Sequence, residues 1–459
     1  MPARLAAMIA AALTLALAGA AQAGVQVVEP FSLERYAGQG AIGLVVPGAG
    51  PTVTRESALN GLLTGKTRSS LLGGTPRGKP LIALGEAGVP DVYVVLPPPG
   101  ESENDVRYPI AAVGGGFRGV LMSDSTRIAG LVSITDVARG RLEWREVDDP
   151  VATLERLERR IDRNDRIRLP LTIAVAVAAI AVALVRPRLA PRVLLLALAA
   201  NLWLAGWWLV ALLALASVTL PLGVACATVL VAYLAALGLD AEAVALSPLG
   251  PSQAGRFYGV SNLLETTLLV PSLLGAALLG RLGAGIAAIA VVAVAGNRFG
   301  ADGGGLLVLL TGYGVLLLRL HGMRLSAGRV AVLAGAVVAA GLVVVSIDAA
   351  LGGSSHVTEA LGGGPGELVD DVADRLRISF ERTVSGGGAA FVAFISIAGL
   401  VYVATRRRRQ PVTDALLVAL AVSLIVNDTP TDVVGIGSAA AFALFRYEQV
   451  RERGPGAHG

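Results

Sequence analysis

Between Val193 and Leu239 the chain runs nearly unbroken through apolar residues for 47 positions. One crossing of a bilayer consumes about 20 such residues, so this stretch is too long for one simple span and could hold two ordinary spans or three short or re-entrant ones. Further apolar runs occupy 170–185, 262–280, 282–296, 304–320, 328–350, 387–405, 411–427 and 432–446. A backbone in hydrocarbon must satisfy its own hydrogen bonds, which leaves helices as the element for these runs. The expected fold is an α-helical polytopic membrane domain of about 9–11 spans, preceded by an exported α/β soluble domain.

Composition agrees. Of 459 residues, 54% are hydrophobic and 16% charged, with mean hydropathy +0.68. The net charge of +4 comes mainly from arginine. The arginines are scattered or flank apolar runs, so they do not read as a nucleic-acid surface. Cys226 is the one cysteine, and it lies in an apolar run, so the exported domain folds without disulfides. His321, His356 and His458 are the histidines, which excludes a Cys/His zinc site; neither a metal nor a cofactor is expected.

Residues 1–23 read as a signal peptide, with Arg4 as the positive region, Leu5–Leu17 as the apolar core and Ala21-Gln22-Ala23 as the cleavage site. An uncleaved anchor is the alternative; either way the residues from Gly24 onward are exported. Residues 24–149 form the α/β domain. Strands are expected at Ala41–Val46, Asp91–Leu96, Ile110–Val113, Gly119–Met122 and Ile128–Ile134, with a helix from Thr54. Residues 150–169 read as a helical stalk with Val151, Leu154, Leu157 and Ile161 on one face and Asp149 as its cap. The membrane domain covers 170–446, and 447–459 is a cytoplasmic tail.

Charge sets the orientation, because cytoplasmic loops carry an excess of Arg and Lys. Arg186, Arg188 and Arg192, the loop from Arg319 to Arg329, Arg406–Arg409 and the arginines from Arg446 onward then face the cytoplasm. This requires an odd number of crossings between Val193 and Leu239. Three short ones are favoured, with turns near Gly206-Trp207-Trp208 and Thr219-Leu220-Pro221; one crossing with a re-entrant hairpin also fits. Trp203, Trp207 and Trp208 suit the membrane interface, and Asn201 an interhelical hydrogen bond. After Gly362-Gly363-Gly364-Pro365-Gly366, the residues Val369, Val372, Ala373, Leu376 and Phe380 define an amphipathic helix, for the membrane surface or the exported domain.

Three polar islands interrupt the apolar part: Ser247–Glu265, Gly296–Gly305 and Asn427–Asp432. A helix starting near Phe257 would align Tyr258, Asn262 and Glu265 on one face. The second island echoes the first in Asn297-Arg298-Phe299-Gly300 and adds Asp302. Ionisable residues inside membrane segments mark functional sites by default. The candidate binding residues are therefore Arg256, Tyr258, Asn262, Glu265, Asn297, Arg298 and Asp302, lining an outward polar vestibule. Arg256 and Arg298 would hold an anion, with Glu265 and Asp302 as partners or proton carriers. The competing reading makes these ion pairs clamps between helix ends. Asp428 and Asp432 read as solvated turn residues, and Ser355-His356 as loop residues rather than a catalytic pair. The Gly-rich stretches at Val46–Pro51 and Gly114–Gly116 match no phosphate-binding or dinucleotide fingerprint.

The segment Gly130-Leu131-Val132-Ser133-Ile134-Thr135-Asp136-Val137-Ala138 resembles the S-x-x-D-I-A-P-T strand-to-helix element of the alkaline phosphatase/sulfatase superfamily. That resemblance implies an α/β domain. It implies no activity, because the Asp/His metal set of the superfamily has no histidine here between Gly24 and Pro170. The stretch Ala254-Gly255-Arg256-Phe257-Tyr258-Gly259-Val260-Ser261-Asn262-Leu263-Leu264-Glu265 is similar to a G-R-F-Y-G-I-G-N-E element of bacterial polytopic membrane proteins with an exported N-terminal domain. Here Ser261 stands where that pattern has Gly, and Glu265 follows Asn262 by three residues rather than one. The expected location is the bacterial plasma membrane. The expected role is transport or handling of a lipid-linked or anionic envelope precursor, with the lipid bilayer as partner. A membrane-embedded transferase acting at the outer leaflet and a non-catalytic envelope scaffold are the alternatives.

Overall fold

The structure is a computed structural model. It describes residues 24–67, 90–251, 257–296, 299–300, 302–324, 326–350, 377, 387–407, 409–427 and 429–452. The expected signal peptide, the amphipathic stretch around 369–380 apart from Arg377, Ser355-His356, Asp428 and the tail beyond 452 lie outside the described residues, as do Arg256, Asn297 and Arg298. The chain divides into two compact units, 1–160 with 253–256, and 161–252 with 257–459.

The first unit holds the strands. These are β1 (Val25–Val27), β2 (Gly40–Val46), β3 (Thr52–Thr54), β4 (Asp91–Val94), β5 (Glu101–Glu103), β6 (Tyr108–Val113), β7 (Gly119–Ser123), β8 (Leu131–Ser133) and β9 (Leu142–Arg145). Three short helices accompany them: α1 (Leu33–Ala37), α2 (Arg55–Thr64) and α3 (Ile134–Ala138). A mixed sheet runs β1-β4-β6-β2-β7-β9, with β8 beside β2, and β3 pairs with β5 separately. All seven residues of β2 are buried, as expected for the strand at the centre. It pairs antiparallel with β6 and parallel with β7 and β8. Thr54 and Ser57 form a reciprocal capping box that starts α2, and Gly65 at φ 64° ends it. The expected strand 128–134 is shorter. Ile134 already opens α3, because the chain turns at Ser133 into helical geometry.

Helix α4 (Pro150–Val185) starts in the first unit and ends in the second, and runs unbroken through Pro170. Asp149 caps it by accepting Ala152 N–H at 2.9 Å. Its first turns are seated on the sheet unit. Gly130, at φ +93°, has ideal Cβ space only 2.6 Å from Leu154 Cδ2 and 3.0 Å from Leu157 Cδ2. The apolar face expected from the sequence is thus a packed face, with Leu154, Leu157 and Ile161 all buried.

The second unit is all helix among its described residues. After α4 come α5 (Ala190–Leu204), α6 (Trp208–Ser217), α7 (Leu222–Ala245), α8 (Asn262–Leu278), α9 (Gly283–Ala295), α10 (Gly303–Leu320), α11 (Ala327–Ala350), α12 (Gly387–Ala404), α13 (Pro411–Val426) and α14 (Pro430–Glu452). The long apolar stretch therefore becomes three helices, with turns at Ala205–Trp207 and Val218–Pro221, the two places expected. Gly206 supplies φ +98° for the first turn and Pro221 opens the helix after the second. Among the described residues, three helices, α4, α7 and α10, are long and apolar enough to cross a membrane, and six further apolar helices have 10–17 residues.

Close packing relies on small residues, which let helix backbones approach. Gly312 of α10 lies under Leu273 of α8 and Ala419 of α13, and Gly437 of α14 lies under Leu420 of α13. Contacts at both ends fix the helix directions. Helices α10 and α13 are antiparallel: Gly304 lies against Asn427, while Arg319 pairs with Asp414 at 2.8 Å. The bundle thus has one end where α8, α10 and α14 begin. At its other end the turns carry Arg186, Arg188, Arg281, Arg324 and Arg407.

Candidate functional site

The three polar islands converge where α8, α10 and α14 begin. The Ser247–Gly250 segment follows α7, whose helical geometry is interrupted at Asp240. Asn201, fully buried on α5, donates to Ser247 Oγ and Tyr233 OH, each at 3.0 Å, and accepts Leu249 N–H at 2.9 Å. The interhelical role expected of Asn201 is the one it has. From α4, Asn164 donates to the Leu246 carbonyl at 2.6 Å, and Arg168 to the Gly250 carbonyl at 2.8 Å. Gly250 leaves no room for a side chain: a Cβ would sit 2.1 Å from the Ala245 carbonyl oxygen.

Helix α8 begins at Asn262, not near Phe257. Gly259 takes φ +79°, which interrupts helical geometry, and Ser261 caps the helix by accepting Leu264 N–H at 3.0 Å. Tyr258 therefore precedes the helix and does not share a helical face with Asn262 and Glu265. Val260 N–H donates to the Gly300 carbonyl at 2.9 Å, which joins the first island to the second. Asp302 caps α10 through Gly305 N–H at 3.1 Å.

The third island closes the arrangement. Asn262 donates to Thr429 Oγ1 at 2.8 Å. Asn427 Nδ2 donates to Glu265 Oε2 at 3.0 Å and to Ser423 Oγ at 2.7 Å. Asp432 is not a solvated turn residue: it stands in the first turn of α14 and pairs with Arg168 at 3.2 Å. Of the seven residues selected from the sequence, Asn262, Glu265 and Asp302 thus join one polar junction. Tyr258 lies on the segment leading into it, and the other three fall outside the described residues.

Glu265 is the chemically distinctive member. Its side chain is 0% exposed, and Thr266, Thr267 and Ser272 on the same helix are buried with it. A carboxylate in the first turn of a helix gains from the partial positive charge there, by about 0.3–1 kcal/mol. Three helices begin around this junction, and each places an acidic residue at its start: Glu265, Asp302 and Asp432. Sequence reasoning missed Ser272 and Tyr313, whose hydroxyls meet at 2.5 Å between α8 and α10. On α8 the positions 262, 265 and 272 lie near one face, so polar groups line the helix from its start toward its middle.

A second polar group sits at the arginine end. Asp414, at the start of α13, pairs with Arg319 at 2.8 Å and Arg409 at 2.6 Å. Glu448 of α14 accepts Val412 N–H, Thr413 N–H and Thr413 Oγ1–H at 3.2, 3.1 and 2.6 Å. Compared with known proteins, the chain matches no family model, no curated protein and no solved structure.

Proposed function

We propose that this is an integral protein of a bacterial plasma membrane that handles an anionic or lipid-linked envelope precursor from the outer side. In this reading α4–α14 cross the bilayer, the arginine end faces the cytoplasm and the polar junction faces outward. The exported domain precedes α4. The observation that carries the reading is Glu265, an ionisable side chain wholly enclosed where three chain segments meet. Enclosing a carboxylate is costly, and such groups within membrane bundles serve ion, proton or substrate paths.

The polar face of α8 supplies the path, from Asn262 past Glu265 toward Ser272 and Tyr313. Asn427 and Thr429 hold the α13–α14 connector against that path through the bonds to Glu265 and Asn262. Parting of these bonds opens the junction outward. Glu265 exchanges its bond to Asn427 for one to the ligand or a proton.

The test is complementation of a deletion strain. Glu265→Gln preserves the shape and removes the charge; activity is expected to fall at least about tenfold, the equivalent of ~1.4 kcal/mol, with the variant still present in membranes at wild-type level. Full complementation by both Glu265→Gln and Glu265→Ala would sink the reading and favour a scaffold.

A further inference from the structure

At the arginine end, three neighbouring turns form an arc of guanidinium groups. The α4–α5 turn carries Arg186 and Arg188, both exposed, and it is tied to α14 where Arg446 donates to the Ala183 carbonyl at 3.4 Å. Arg192 donates to the Leu220 carbonyl at 3.0 Å, joining the start of α5 to the α6–α7 turn. Just beyond that turn, Gly223 faces Leu278 and Leu279, which lead into exposed Arg281. No Asp or Glu occurs in 182–193, 218–224 or 278–284. Among the described residues, the side chains of Arg186, Arg188 and Arg281 have no acceptor. By contrast, Arg319 and Arg409 further along this end share the carboxylate of Asp414.

Beside these arginines the surface is aliphatic. Leu184 is 58% exposed, Val185 79%, Leu189 44% and Leu282 68%. Water would leave this surface bare, and a folded protein partner would need a deep apolar face with an acidic rim. An amphiphile with an anionic headgroup and hydrocarbon tails satisfies both parts at once: the tails cover the leucines while the phosphate takes the guanidinium donors.

We propose that this arc is a binding surface for anionic phospholipid headgroups, selecting them over zwitterionic ones. The proposal rests on the membrane reading above. Each arginine near such a headgroup is worth roughly fivefold in affinity.

The full chain, purified in detergent, is exposed to an equimolar mixture of phosphatidylglycerol and phosphatidylcholine, and retained lipid is counted by native mass spectrometry. Wild type is expected to retain phosphatidylglycerol preferentially, and to lose the preference at about 0.5 M salt, where screening is nearly complete beyond a few ångströms. Replacing Arg186→Gln, Arg188→Gln and Arg281→Gln together should abolish it, while Arg163→Gln with Arg166→Gln should not. Equal retention of both lipids by wild type, preference unaffected by salt, or a preference surviving the triple replacement overturns the proposal. Should the triple variant misfold, the wild-type salt series still decides. Failure of the membrane reading shows separately, as absence of the chain from the membrane fraction of cells.

Discussion

Asn201 illustrates how a single polar residue can organise an apolar bundle. One amide joins α5 to Tyr233 of α7 and to the Ser247–Leu249 segment. Asn201→Ala leaves the Leu249 N–H without that acceptor and should destabilise the protein by about 1–2 kcal/mol, near the upper range for polar contacts between membrane helices. The check is the thermal unfolding midpoint of the purified chain, which should fall. The role of Asn201 was legible in the sequence because it is an isolated amide in a long apolar run. Asp414, Glu448, Ser272 and Tyr313 were not. Asp414 also pairs locally with Arg409, but each of the four lies within or beside an apolar run and has a partner far along the chain, 41 residues away for Ser272 and Tyr313. No local pattern couples such pairs.

Among elements, the long helices were readable and the short strands were not. Apolar length and charged flanks set the bounds of α9, α10 and α13 to within a few residues. Strands β1, β3 and β5 have three residues each, and β5 reads Glu-Ser-Glu, with no alternation of apolar and polar positions. The start of α8 was misplaced because local periodicity ran past Gly259, whose positive φ becomes apparent only in the fold. The seat of α4 on Gly130 gives an element-scale prediction. Gly130→Ala puts a methyl group into the Leu154 and Leu157 side chains at a left-handed backbone position, and should cost about 2–3 kcal/mol. Gly140 is also left-handed, at φ +64°, but nothing lies within 4 Å of its Cβ position. Gly140→Ala should cost only about 1 kcal/mol. Hydrogen exchange across 150–160 should rise clearly in the first variant and little in the second.

For the whole molecule, the distribution of charge is the main argument for orientation. Arginines cluster at one end of the helical unit, whereas Glu265, Asp302 and Asp432 stand at the other. With Cys226→Ala as background, Gln253→Cys and Ala301→Cys should react with an impermeant maleimide in intact cells. Arg188→Cys and Arg324→Cys should react only after permeabilisation. The opposite pattern would invert the orientation. The charge bias asks for an odd number of crossings between Val193 and Leu239, and the helices that occupy this stretch are α5, α6 and α7.

The contact between Glu448 and α13 also sets an order in time. The amide groups of Val412 and Thr413 belong to the first turn of α13, yet their acceptor is encoded 35 to 36 residues later. As the polypeptide leaves the ribosome, α13 is complete before Glu448 has been added. Its opening turn is therefore capped only when the Glu448 turn of α14 arrives.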